Sequence, residues 1–364
     1  MLAQPSSGRS RQLDKVSFER AIALHELFVR GAGGVRALLQ HVEAPGVDCR
    51  SRRLNDADFT GANLQGAHFE GSHFERASLY GANLSGCDLR ATNLRRADLR
   101  GAHLAGACLN GAVMDEADMR AAYIVHAGPA GGSHILGRET RSAYDPGAEP
   151  LGANFTNCAM RGVRLCSANL KGANFTGAMM DAVDFTGAKL TDAIFRGTVL
   201  TSVALDKLNL APTQLAGCVM APSAAARSRV AMLLERLRDA NRWVESGGSR
   251  GLPAVLDRED LRPLGGALGD RLLTALSARG ACAIYMNFSN SKLQGANFDH
   301  ADLRGAIFDG ADLRGASFRA AKLSHARFVR ADLSPLMLPD GRPYSASFEG
   351  ASLERTDFSQ TVLG

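Results

Sequence analysis

Tryptophan occurs once in these 364 residues and tyrosine five times; aromatics total 6%, most of them Phe. An average globular core, built on mixed aromatics, describes such a chain poorly, and its 39 Gly point to a repeat architecture instead. Long apolar runs are also missing. No stretch approaches eighteen consecutive apolar residues, so nothing reads as a membrane span. The opening MLAQPSSGRSRQLDKV has no apolar centre, which argues against a signal peptide and for a soluble, cytoplasmic protein.

Paired cysteines are absent too. The seven Cys are odd in number and include no C-x-x-C, so neither a disulfide framework nor a zinc ribbon is indicated. Cys87, Cys158 and Cys218 fall at a small, inward position, where Ala or Ser would serve equally. Charge of one sign is scarce as well. The net charge is +5, yet residues 52–126 carry eight basic against nine acidic side chains, and residues 286–364 nine against nine. No long-range field favours nucleic acid or an acidic partner.

What the chain does have is a step of five. Every fifth residue from Leu54 to Ile124 is Leu, Phe, Met or Ile, and the step returns over Phe155–Met220, Phe288–Leu333 and Phe348–Leu363. Two residues before each stands something small, usually Ala. Five matches neither a 3.6-residue helix nor a two-residue strand, so the core must close by stacking. A longer period of twenty sorts the core residues by kind. Phe288, Phe308, Phe328 and Phe348 share one line, Phe298, Phe318 and Phe358 another, and Phe155, Phe175 and Phe195 a third. Twenty residues therefore make one turn of a four-sided coil in which like stacks on like. The forty-three fives make ten to eleven coils, roughly 50 Å at the ~4.8 Å spacing of paired backbones.

Three breaks divide the run. Residues 127–150 are rich in Gly and Pro and read as an exposed loop between segments 52–126 and 151–221. Residues 334–345 keep the register and read as a bulge with Asp340-Gly341 at its turn, inside a third segment, 286–364. Residues 222–285 differ in kind. Ser223 can cap a helix through Val230, Leu233, Leu234 and Leu237, and Leu264, Leu268, Leu272 and Leu276 suggest a second helix near 265–279. Residues 1–51 hold a similar helix, from Ser17 to Arg30. HELFVRGAGGVRALL and ANRWVESGGSRGLPAVL share an aromatic-Val pair, a Gly-rich turn and an apolar exit. They read as a duplicated entry module, one copy covering each open coil end.

Ala62-Asn63-Leu64, Ala97-Asp98-Leu99, Ala168-Asn169-Leu170, Ala301-Asp302-Leu303 and Ala311-Asp312-Leu313 match the A(D/N)LXX motif. The chain thus resembles the pentapeptide-repeat family. The resemblance implies an all-β solenoid, a right-handed quadrilateral β-helix with the central Leu or Phe and the preceding Ala inside. The helical N-terminal and mid-chain inserts would flank it. His25–Leu39 and Trp243–Leu256 are similar to a short lead-in found before bacterial pentapeptide repeats. Most members have no established activity, so the family implies fold more than function.

No catalytic, cofactor or metal site emerges. His68, His73 and His103 each precede a core residue, face solvent and do not converge. Asp and Asn before the core residues read as local corner hydrogen bonds. Arg90, Arg95 and Arg100 point from successive sides, so with Arg96 they form no phosphate surface. Trp243, beside Arg238 and Arg242, is either a staple onto the coil or an anchor for a partner. Phe308 is expected inside, and Arg304 outside and dispensable.

These features favour a non-catalytic scaffold whose partner is another protein. Two copies joined through a coil end are a further expectation. The resemblance supplies one alternative, since quinolone-resistance members act on DNA gyrase by imitating DNA. The best acidic column here, Asp58, Asp98 and Asp118, is interrupted by Ser78 and flanked by Arg100 and Arg120. A secreted bacterial effector is the other alternative, with Ser6 to Ser10 as an export signal.

Overall fold

The computed structural model describes residues 11–120, 124–127, 133–136, 153–205, 208 and 210–363. It divides into two compact units, Met1–Ala221 and Pro222–Gly364. Most of the segment 127–150 and all of Ser6 to Ser10 lie outside the described residues.

The first unit opens with a short strand, β1 (Arg11–Gln12), and helix α1 (Lys15–Val29). Asp14 starts α1 by accepting the Ser17 N–H at 2.9 Å. Coiling begins at once afterwards. Parallel bridges link Leu38 to Asp58, Asp58 to Ser78, Ser78 to Asp98 and Asp98 to Asp118, and three more lines run through Asn63, His68 and His73. Each bridge joins residues twenty apart, and four bridge positions, five apart, fill one coil. Within a line the bonds alternate: Leu39 N–H donates to Asp58 O at 2.7 Å, and Asp58 N–H to Ala37 O at 3.0 Å.

The physical reason for the step of five follows from these bonds. One residue per side pairs, its two neighbours turn their side chains inward, and two more make the turn. Ala62 N–H closes that turn on Phe59 O at 3.0 Å, and Gly61 takes φ 64°, which its third position requires. Formal strands are consequently few. Besides β2 (Val42–Glu43), which pairs with β1, the first unit has β3 (Ile124–Ala127) and β4 (Ser133–Leu136). It also has β5 (Met179–Asp181) and β6 (Val199–Thr201). The expected all-β character is thus carried by single-residue bridges rather than extended strands. Ile124, taken as a rung of the core, belongs to the antiparallel β3–β4 pair. The ladder nonetheless resumes: Cys108 bridges Asn154, Val113 bridges Ala159 and Asp118 bridges Arg164.

The second unit begins with α2 (Ala224–Ser228), capped by Ser223, and α3 (Val230–Glu245). No second helix exists at 265–279. Coil bridges begin at Val255, which pairs with Ser277, and Leu272 is itself a bridge residue to Lys292. Leucines at 264, 268, 272 and 276 mimic a helical stripe. The step used is Leu268, Leu273, Ala278, Ala283, Phe288, and small Ala at two central positions conceals it. All five are buried. Beyond α3 the interval 222–285 therefore holds only a single 3-10 turn, Arg262–Leu264.

The expected bulge at 334–345 is an antiparallel hairpin of β7 (Leu336–Met337) and β8 (Pro343–Tyr344). It lengthens its coil to thirty residues, as Ser317 bridges Ser347. Ten extra residues are two sides, so the stacking lines exchange. Phe348 stacks on Phe318 (4.9 Å, 7°), not on Phe328, and Phe358 stacks on Phe328 (5.0 Å, 14°). Elsewhere the expected columns hold: Phe288–Phe308 and Phe308–Phe328 at 4.8 Å, Phe155–Phe175 at 4.9 Å.

The two entry helices meet their coils alike. A Cβ at Gly34 would lie 2.1 Å from Leu24 O, and one at Gly251 would lie 2.2 Å from Asp239 O. Side chains then take the first coil's orphaned N–H groups: Glu26 accepts from Arg53, and Asn241 from Leu272, each at 3.2 Å. Phe18, Ile22 and His25 of α1, and Leu233, Leu237 and Ala240 of α3, are buried in their respective cores.

Candidate functional site

Chemistry-bearing side chains on the coils are tied into a local motif. An Asp or Asn at the bridge position accepts the N–H two residues on, as in Thr60 N–H to Asp58 at 3.0 Å and Ser289 N–H to Asn287 at 2.9 Å. Where Arg stands at that second position, its guanidinium folds back as a fork. Arg90 grips Asp88 at 2.8 and 2.7 Å, Arg100 grips Asp98 at 2.8 and 2.7 Å, and Arg314 grips Asp312 at 2.9 Å twice. The Arg90 hydrogen bonds hold the Asp88 carboxyl below the usual carboxylate range.

In the acidic column Asp98 and Asp118 are therefore closed by arginine, while Asp58 accepts from Gln40 at 2.6 Å. Arg120 forks onto Asp118, and Arg164 adds a contact to the same carboxylate at 3.0 Å. The densest basic run is equally engaged: Arg95 reaches Asp115 at 3.1 Å, and Arg96 reaches Glu116 at 2.7 Å. His68, His73 and His103 are exposed bridge residues on three lines, with His68 and His73 on different sides. Among the described residues no group of three or more His, Cys, Asp and Glu is placed to hold a metal.

Arg304 departs from the expectation of a free, outward side chain. It forks onto Asp302 at 2.8 and 2.6 Å and is only 4% exposed. Sequence spacing gives direction, not cover. The small inward position is also more specific than its composition suggests. Cys87 donates to Leu64 O at 3.0 Å, Cys158 to Leu109 O at 2.9 Å and Thr198 to Phe175 O at 2.8 Å. Ala cannot make this bond. Burial pushes the Cys87 thiol up to about 11, so it stays protonated and inert.

On α3, Arg238 and Arg242 come together over Glu235, at 3.1 and 3.6 Å, and Arg242 also pairs with Asp239 at 2.8 Å. Trp243 is half-buried beside the Gly248 turn. A cleft of about 980 Å³ lies between α1 and the first coil, lined by Phe18, Glu26, Pro45, Arg50 and Arg52 among others. Its charges pair internally, Arg52 with Glu26 at 3.2 Å and Arg50 with Asp48 at 2.6 Å. The residue that spacing alone missed is His25, buried at the root of α1; its alignment with Ala240 was the available signal.

A ladder of five-residue sides around an apolar stack, with many of its outer charges closed in pairs, defines a stacked-repeat protein. The family model for pentapeptide repeats matches in eight copies over residues 53–120, 152–211 and 277–334, just over half of the sequence. The chain belongs to the pentapeptide-repeat family, and its fold is of the β-helical kind. No curated protein matches significantly. Among solved structures it is similar to a pentapeptide repeat protein of the Arabidopsis thaliana thylakoid lumen. That match has 23% identity, 37% of this chain and 67% of that one covered, and a TM-score of 0.21. It is also similar to HetL of the cyanobacterium Nostoc sp. strain PCC 7120, a protein involved in heterocyst differentiation regulation (16%, 96% and 97% covered, TM-score 0.15). A third is QnrB1, a plasmid-mediated fluoroquinolone resistance protein (19%, 56% and 98%, TM-score 0.20). Superpositions this loose bear on nothing further; membership rests on the repeats. Among the described residues no helix is long and apolar enough to cross a membrane.

Proposed function

We propose that this protein is a non-catalytic scaffold, a right-handed quadrilateral β-helix of the bacterial cytoplasm that holds another protein. The closure of the outer charges carries the reading. Bridge carboxylates that could act as acid, base or ligand are tied to the residue two places on, an arginine at Asp98 and a threonine or serine at Asp184 and Asp332, and the inward positions are packed. What remains for recognition projects from the coils. The α3 surface of Trp243, Arg238 and Arg242 is the contact we assign. Affinity capture from the native cell tests it. Replacing all three by Ala should remove a partner that the wild type retains, with circular dichroism unchanged. An identical set of captured proteins would reject this contact.

DNA mimicry towards gyrase needs an uncompensated column of carboxylates, and here Arg100, Arg120 and Arg164 compensate Asp98 and Asp118. At micromolar protein, supercoiling by gyrase should therefore proceed unchanged. Pairing of two copies through a coil end is part of the proposal, and light scattering at micromolar concentration tests it.

A further inference from the structure

His25 sits on the inner face of α1, fully buried among apolar residues of the cap. Its Nδ1 accepts the N–H of Ala37 at 3.1 Å. Ala37 opens the first coil, so its peptide has no preceding coil to pair with. Accepting through Nδ1 fixes the neutral tautomer with the proton on Nε2. Among the described residues Nε2 has no hydrogen-bond partner, and the Asn55 backbone approaches without completing a bond. Phe28 lies across the ring at 5.8 Å. A proton on Nδ1 would bury a cation and turn one N–H against another. Burial accordingly holds the imidazole below its ordinary value. Arg36 acts in the same sense, and the Asn55 backbone, Asp56 and Glu26 oppose it.

The second cap offers an internal comparison. Gly34 matches Gly251, Glu26 matches Asn241, and by the same alignment His25 matches Ala240, which is equally buried. Ala240 neither accepts nor titrates. We propose that α1 is an acid-operated latch: protonation of His25 breaks its bond to Ala37 and frees the helix from the coil end, while α3 stays closed. Opening would uncover Leu39, Val42 and Leu54, all buried in the closed form, and release the Arg53 N–H from Glu26.

The sign follows from linkage. The open form takes up a proton near the ordinary imidazole value of about 6.5, and the closed form only at lower pH. The latch is at full strength above that value. It weakens up to about tenfold per pH unit below it, until the closed form is protonated as well.

Hydrogen exchange of the intact protein between pH 7.5 and 5, corrected for intrinsic rates, tests the latch. Protection at Ala37, Leu39 and Arg53 should fall up to about tenfold per pH unit below about 6.5, with Leu256 and Leu272 unchanged. His25→Gln, which keeps an acceptor and does not titrate, should abolish the pH dependence at the first cap. Equal loss at both caps, persistent Ala37 protection at pH 5, or unaltered pH dependence in His25→Gln would each overturn the proposal. Should the variant fail to fold, the two caps of the wild type still decide it.

Discussion

At the scale of single residues, the stack separates side chains that sequence spacing treats alike. Phe308 is fully buried, with rings at 4.8 Å on both sides. Phe308→Ala should cost about 3–5 kcal/mol in chemical denaturation, as buried Phe truncations do. Phe358 has one stacking partner, Phe328, and is only half-buried, so its truncation should cost clearly less. Arg304→Ala is no neutral control. It leaves the Asp302 carboxylate, itself 15% exposed, without its fork, and about 1–3 kcal/mol should be lost. A value near zero in the same experiment would contradict the burial assigned to that pair. The inward direction of Phe308 was legible because the five-residue step fixes it. The cover over Arg304 was not, since no spacing encodes what packs against an outward corner.

The elements show where legibility failed and why. Helix α3 was readable from Ser223 and its apolar spacing, whereas the helix expected at 265–279 was four leucines accidentally at helical intervals. Two alanines, 278 and 283, stand where Leu or Phe normally marks the step. The exchange of Phe348 and Phe358 between columns was hidden because ten residues preserve the register of five but not the register of twenty. In the caps, the like stretches HELFVRGAGG and ANRWVESGGS lead into similar close approaches, Gly34 to Leu24 O and Gly251 to Asp239 O. Both glycines of closest approach take positive φ, 86° at Gly34 and 82° at Gly251, so Ala at either is strained as well as crowded. Gly251→Ala should destabilise the second unit by at least about 2 kcal/mol, read as a lowered urea midpoint. Asn241→Ala removes the acceptor for the Leu272 N–H, and a loss of about 1–3 kcal/mol is expected by the same measurement.

On the scale of the whole molecule, the two compact units each contain a cap, a first coil and a continuous apolar core. Residues 222–364 produced alone should therefore fold cooperatively, with Trp243 fluorescence reporting one sharp denaturant transition. A broad, shallow transition would show that this unit depends on residues 1–221. Surface forks should contribute little collectively, because most of their arginines are about half exposed and such pairs are screened. Raising salt from about 0.1 to 1 M should shift the melting temperature by only a few degrees.

The coils also differ in length without losing their alignment: 22 residues from Val255 to Ser277, 30 from Ser317 to Ser347, and 46 from Cys108 to Asn154, against the usual 20. On either side of each excursion the layers are joined by the same single-residue parallel bridges, whether the intervening chain is long or short. Such a scaffold can acquire new segments during evolution without redesigning its interior. Grafting a foreign epitope between Asp340 and Gly341 should be among the least disruptive insertions this sequence will accept.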